Sequence, residues 1–93
     1  MDPSVSEEPE SLLEFPCLFP VKIMGERHES FAQTMLDIVL RHAPDFDPAS
    51  MEMRTSSKGK YLSLTCTIRA VSRAQLDNLY SELSGHAMVT MVL

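Results

Sequence analysis

No stretch of this 93-residue chain approaches the roughly 20 consecutive apolar residues that cross a bilayer. A membrane-spanning protein is therefore not expected. The first fourteen residues lack both the basic start and the apolar centre of a secretory signal, so the expected location is cytoplasmic. Cysteine is scarce, and Cys17 and Cys66 lie far from any C-x-x-C spacing. In a reducing cytoplasm both are expected as free thiols, with no metal site between them. Basic charge is also lacking. The net charge of −5 comes from Asp2, Glu7, Glu8, Glu10 and Glu14, which have no base among them, whereas residues 15–93 hold eight acids and eight bases. A neutral body argues against nucleic acid, because phosphate binding needs clustered Lys or Arg.

What remains is an ordinary globular composition, 44% apolar and 23% charged. The length suits a single domain with one core. Residues 1–11 hold two prolines, three serines and four acids, which predicts a disordered or loosely attached acidic tail. Residues 12–93 are expected to form one domain.

The apolar pattern alternates between two periods. Phe19, Val21 and Ile23 alternate with Pro20, Lys22 and Met24, which predicts a first strand over 18–24 that ends at Gly25. From about Glu29 to Ala43 the period is helical, through Phe31, Met35, Ile38, Val39 and His42. Glu29 in the first turn and Arg41 with His42 in the last suit the helix dipole, and Pro44 ends the run. Residues 50–56 read as a second strand. Ser57-Lys58-Gly59-Lys60 reads as a hairpin connection, with Gly59 supplying a positive φ. Residues 61–71 alternate longest, with Leu62, Leu64, Cys66, Ile68 and Ala70 inward. Ser72-Arg73-Ala74-Gln75 fits a capping box, followed by a helix burying Leu76, Leu79, Tyr80 and Leu83 and capped by Gly85. Residues 87–93 read as a last strand, with Val89 and Met91 inward.

The order is strand, helix, strand, strand, helix, strand, which predicts an α+β ferredoxin-like βαββαβ sandwich. Right-handed crossovers place both helices on one face of a four-stranded antiparallel sheet. The second and last strands should lie at its two edges. The opposite face is expected to carry Lys22, Ser63, Thr65, Thr67, Arg69, Met88 and Thr90.

Several motifs together carry a family likeness: Leu12-Leu13-Glu14-Phe15-Pro16, Lys22 with Met24-Gly25, Arg41-His42-Ala43-Pro44, Ser56-Ser57-Lys58-Gly59 followed by Tyr61, and Met91-Val92-Leu93. The chain resembles the YbeD-like family of small bacterial proteins, over about residues 12–93. Lys60 stands where that family usually has Asn. The resemblance implies a ferredoxin-like fold similar to ACT domains, the regulatory modules that bind amino acids in metabolic enzymes. Members are often encoded near lipoate-synthesis enzymes, which implies a metabolic setting.

No catalytic set is legible, and an enzyme is not expected. Lys58-Gly59-Lys60-Tyr61 opens a strand as in RNA-binding sheets, but Leu62, Ser63 and Leu64 do not continue the aromatic platform that stacks bases. Acyl-phosphate hydrolysis on this fold needs an Asn on a strand, and the one asparagine, Asn78, falls on the second helix. No Cys or Ser has a His at a suggestive spacing. His28, His42 and His86 sit at helix ends, where caps or dipole partners are the ordinary reading. No metal or other cofactor is expected.

Two functional expectations remain. One is a non-catalytic regulatory or small-metabolite-sensing module. In it Gly25, Arg27 and His28 would hold a small carboxylate metabolite or an amino acid at the start of the first helix. The other is a protein-interaction adaptor acting through an exposed strand edge or the open sheet face. Here Met88, Thr90 and Val92 on the last strand would pair with a protein partner or a second copy.

Overall fold

A computed structural model describes residues 13–93; the expected tail over 1–11 lies outside the described residues. The strands are β1 (Cys17–Glu26), β2 (Glu52–Thr55), β3 (Tyr61–Ala70) and β4 (Met91–Val92). The helices are α1 (Phe31–His42) and α2 (Arg73–Ser84), with a 3₁₀ turn at Pro48–Ser50. The sheet runs β2-β3-β1-β4 and every neighbouring pair is antiparallel. This is the expected βαββαβ sandwich.

The central pair organises the core. β1 and β3 match over their whole lengths, from Cys17 opposite Ala70 to Glu26 opposite Tyr61. Strand alternation therefore sends Val21, Ile23, Leu64, Cys66 and Ile68 to one face, where all are fully buried. Helix periodicity brings Phe31, Met35, Ile38 and Val39 of α1, and Leu76, Leu79 and Leu83 of α2, onto that face. Phe46 and Ala43, just beyond α1, complete the cluster.

The two helices are locked at one end by polar contacts. Ser72 Oγ accepts from the Gln75 amide at 3.1 Å, as a capping box requires. Gln75 Oε1 reaches one residue further back than the box predicts and accepts from the Val71 amide at 2.7 Å. Its Nε2 donates to the His42 carbonyl at 2.8 Å. One side chain thus satisfies the start of α2 and the end of α1, both of which would otherwise hold unpaired backbone groups. Glu82 adds a second bridge, accepting from Arg41 and pairing with His42 Nε2 at 2.7 Å. Arg41 and His42 therefore meet a carboxylate on α2, a partner the dipole argument did not name.

Three expectations need correction. β1 does not end at Gly25 but runs through it to Glu26, because Gly25 and Glu26 pair with Leu62 and Tyr61. Glu29 lies outside α1, whose first turn holds no acid. The last strand is Met91–Val92 rather than 87–93, and its phase is inverted. Residues after Gly85 are spent on a turn in which the Val89 amide donates to the His86 carbonyl at 3.1 Å. Pairing then sets Met91 opposite Met24 and Val92 opposite Ile23. Val92 thus faces the helices, while Met91 lies on the open face, 48% exposed. Both phases of Met88-Val89-Thr90-Met91-Val92 put apolar residues inward, so alternation cannot choose between them.

Truncating Leu64 to Ala removes methyl groups from the best-packed layer and should cost about 2–5 kcal/mol in denaturant unfolding; a loss well below that range would mean the strand phase is wrong. Burial pushes the Cys66 thiol up to about 11, so at neutral pH it stays protonated and shielded. Native alkylation should therefore modify the half-buried Cys17 much faster than Cys66, with the difference lost in denaturant.

Candidate functional site

The chain leaves β1 through Glu26 and turns into α1 over residues 27–30, and this loop separates two hollows. One, of about 360 Å³, lies between the loop and the α2–β4 turn, lined by Glu26, Arg27, His28, Ala87, Met88 and Thr90. The other, of about 500 Å³, lies between the loop, α1 and the β2–β3 pair. Its walls are Arg27, His28, Glu29, Ala32, Met53, Thr55 and Leu62. Both volumes fall in the range of small-molecule sites.

Each loop residue has a definite role in this geometry. The Arg27 amide donates to the Lys60 carbonyl at 2.8 Å, tying the loop to the β2–β3 hairpin. Its guanidinium reaches over that hairpin, where a Cβ on Gly59 would sit 3.6 Å from Nη1. Gly59 has φ +74°, the left-handed conformation expected of it. The Arg27 side chain makes no ion pair or hydrogen bond among the described residues. His28 is occupied differently: its Nδ1 accepts from the Ser30 amide at 3.0 Å. That amide belongs to Ser30, the residue before α1, whose own side chain makes no cap hydrogen bond. His86 repeats the device across the smaller hollow, its Nδ1 accepting from the Met88 amide at 3.0 Å. All three histidines are thus held by polar contacts within the fold.

Gly25 does not open space for a ligand. It is buried within β1, and an added Cβ would lie 2.5 Å from Phe31 Cε1 and closer still to the Met88 carbonyl. The room left by its missing side chain is already filled by α1 and the α2–β4 turn. Arg27 and His28 border both hollows; Gly25 borders neither.

The edge residues are also separated. Met88 lies in the turn before β4, and the Thr90 amide is spent on the Met24 carbonyl at 2.7 Å. Lys22 and Leu93 exchange amide–carbonyl bonds at 3.2 and 2.8 Å, so alternation turns the backbone amide and carbonyl of Val92 outward from this edge, while its side chain stays on the helix side. The Tyr80 hydroxyl donates to the Leu93 carbonyl at 2.8 Å. The open face carries exposed apolar side chains at Leu18, Tyr61, Met91 and Leu93. Among the described residues no group of three or more His, Cys, Asp or Glu is arranged to hold a metal. No helix there is long and apolar enough to cross a membrane.

The residues that sequence reasoning missed are Glu29 and Met53. Met53 lies on the helix side, opposite buried Leu64. What alternation could not reveal is that α1 leaves it 55% exposed as a wall of the larger hollow.

Comparison with known proteins gives these features a family. Residues 10–93 match the family described as "Protein of unknown function (DUF493)". The chain belongs to that family. The YbeD-like resemblance carried by its motifs is thereby shown. This DUF493 chain is 58% identical over 84 residues to a UPF0250 protein of Nitrosomonas europaea, covering 90% of this chain and 97% of that one. A UPF0250 protein of Chromobacterium violaceum is 52% identical over 89 residues, 96% of this chain and 100% of the other. The solution structure of a protein from H. pylori superposes with a TM-score of 0.71 at 20% identity, covering 100% of this chain and 96% of that one. The ACT domain from GTP pyrophosphokinase of Chlorobium tepidum superposes at 0.57 and 19% identity, over 82% of this chain and 94% of the domain. At such identities the likeness establishes the ferredoxin-like fold that DUF493 shares with ACT domains.

Gly25→Ala should destabilise the fold by about 1–3 kcal/mol or more, as overpacking does. Adding Phe31→Leu should recover only part of the loss, because the Met88 carbonyl is backbone and cannot be trimmed. Urea unfolding of the single and double variants reads both, and an unchanged midpoint for Gly25→Ala would contradict the packing described.

Proposed function

We propose that this DUF493 chain is a non-catalytic regulatory module that senses a small metabolite in the larger hollow, and that the metabolite is an amino acid with an apolar side chain. The observation that carries this is the composition of the walls. A guanidinium without a side-chain partner among the described residues, Arg27, and a carboxylate, Glu29, border the same space as Ala32, Met53 and Leu62. An amino acid needs a cation for its carboxylate, an anion for its ammonium group and apolar surface for its side chain. A plain carboxylate would use only part of that set. Arg is suited to the carboxylate because its fork donates two parallel hydrogen bonds. The shared fold with an ACT domain supports the reading as an analogy of architecture.

A second reading, a protein-interaction adaptor, rests on the open sheet face. Leu18 is 74% exposed and Leu93 60%, on a surface that neither helix covers. A partner that covers this face would bury both side chains and gain their apolar surface.

A thermal-shift screen of amino acids, lipoate and other carboxylates tests the sensor. A ligand at about 100 times its dissociation constant stabilises the fold by about 2.7 kcal/mol, which for a domain of this size raises Tm by roughly 10 °C. Apolar amino acids should produce that shift in the wild type. Arg27→Gln and Glu29→Gln should each abolish most of it while leaving the unliganded Tm nearly unchanged, since both side chains are exposed. Carboxylates without an ammonium group should act weakly. No shift beyond a degree or two from any compound at millimolar concentration would remove the sensor and leave the adaptor.

A further inference from the structure

The sheet has a second edge, β2, and its sequence is complementary to itself. All four residues of β2 are exposed. The Ser56 amide donates to the Tyr61 carbonyl at 2.9 Å. In an antiparallel ladder the backbone groups alternate in direction. Arg54 and Glu52, in phase with Ser56, therefore turn their amides and carbonyls toward β3, while Thr55 and Met53 present theirs at the free edge. The side chains divide as well. Met53 lies opposite buried Leu64 and so faces the helix side, 55% exposed. Glu52 and Arg54 lie opposite Thr65 and Ser63 on the open face.

We infer that β2 pairs with β2 of a second copy of this chain about a two-fold axis through Met53, joining two four-stranded sheets into one. In that register Met53 meets Met53 of the second copy as a hydrogen-bonded pair, each amide donating to the other's carbonyl. Thr55 amides donate to Met51 carbonyls across the axis; the Met51 amide is already committed to Pro48. Glu52 falls opposite Arg54 of the second copy, and Arg54 opposite its Glu52. These are non-hydrogen-bonded positions, where opposing side chains come closest. On the other face the two Met53 side chains meet and cover each other. The same surface serves both copies, as a closed two-fold interface demands.

The charges favour this register over its two neighbours. Moving the axis by one residue sets Arg54 against Arg54, or Glu52 against Glu52, and like charges directly opposite are unfavourable. Short length, charged side chains, especially Lys, and Pro all blunt an edge against pairing. β2 is short and charged, but its two charges are opposite in sign and two residues apart, so about the two-fold axis they attract rather than repel. At β4, Met91–Val92, only the backbone groups of Val92 are turned outward, and neither residue is charged. The β2 edge therefore replaces the last strand as the surface for self-association. Because Met53 and Thr55 also wall the larger hollow, pairing sets the hollows of both copies beside the axis. The dimer itself does not depend on any ligand there.

Sedimentation equilibrium of the full chain, from micromolar to millimolar concentration, should show a monomer–dimer equilibrium without added ligand. Glu52→Arg and Arg54→Glu should each weaken it by about tenfold or more, since both cross-axis pairs become repulsive. The combined Glu52→Arg, Arg54→Glu variant should restore it, because the complementarity is only reversed. In a Cys17→Ser background, Met53→Cys should form an intermolecular disulfide on oxidation, the expected separation of about 5.5 Å between Cα atoms lying within disulfide range. Val92→Cys should not. A wild type that stays monomeric throughout, single swaps as dimeric as wild type, a double swap that fails to recover, or linkage through Val92→Cys alone would each overturn the inference.

Discussion

At Gly25 the first strand, the first helix and the turn before the last strand come within contact distance, and there is no space for one more carbon atom. The Phe31 ring and the Met88 carbonyl both press on the position a Cβ would take. Phe31 is the first residue of α1 and is fully buried, so this contact fixes where the helix starts over the sheet. Met88 precedes β4, so the same contact fixes how the chain approaches its last strand. The loop that carries Arg27 and His28 is stretched between these two fixed points. Its two flanking hollows are a product of that crowding.

Much of the architecture was readable because β3 and α1 obey a single period without ambiguity. Leu62, Leu64, Cys66 and Ile68 alternate inward over the strand, and Phe31, Met35, Ile38 and Val39 keep helical spacing, so each element admits one buried face. The last strand failed for the opposite reason. Both of its faces are apolar, and the turn held by His86 and Val89 consumes residues that alternation would assign to the strand. Gly25 was legible as a constrained position, but turn, ligand approach and close packing all call for glycine. Only the contacts of Phe31 and Met88 distinguish them.

The candidate site was legible in part. Arg27 and His28 do border the hollows, but the imidazole is committed to the Ser30 amide while the guanidinium is not. Nothing in sequence spacing separates two adjacent nitrogen-bearing side chains in this way. Met53 and Glu29 come to the site through tertiary placement, from β2 and from the loop before α1. Residue type alone predicts a solvated Glu and a core Met, and both readings miss that α1 stops short of covering β2.

The β1–β3 ladder has a consequence in time as well as in space. Every one of its pairs joins residues separated in the chain by all of α1 and β2. The β2–β3 hairpin closes through one short turn at Gly59, and α1 is local by nature, so both can come and go quickly. Neither yields the core until β1 reaches β3, and the chain entropy lost in closing that long loop precedes any burial that offsets it. Contact between distant segments sets the pace of folding for such topologies. Until that meeting the faces of Leu64, Cys66 and Ile68 remain wet, and the folding of this domain waits on the encounter of its first and third strands.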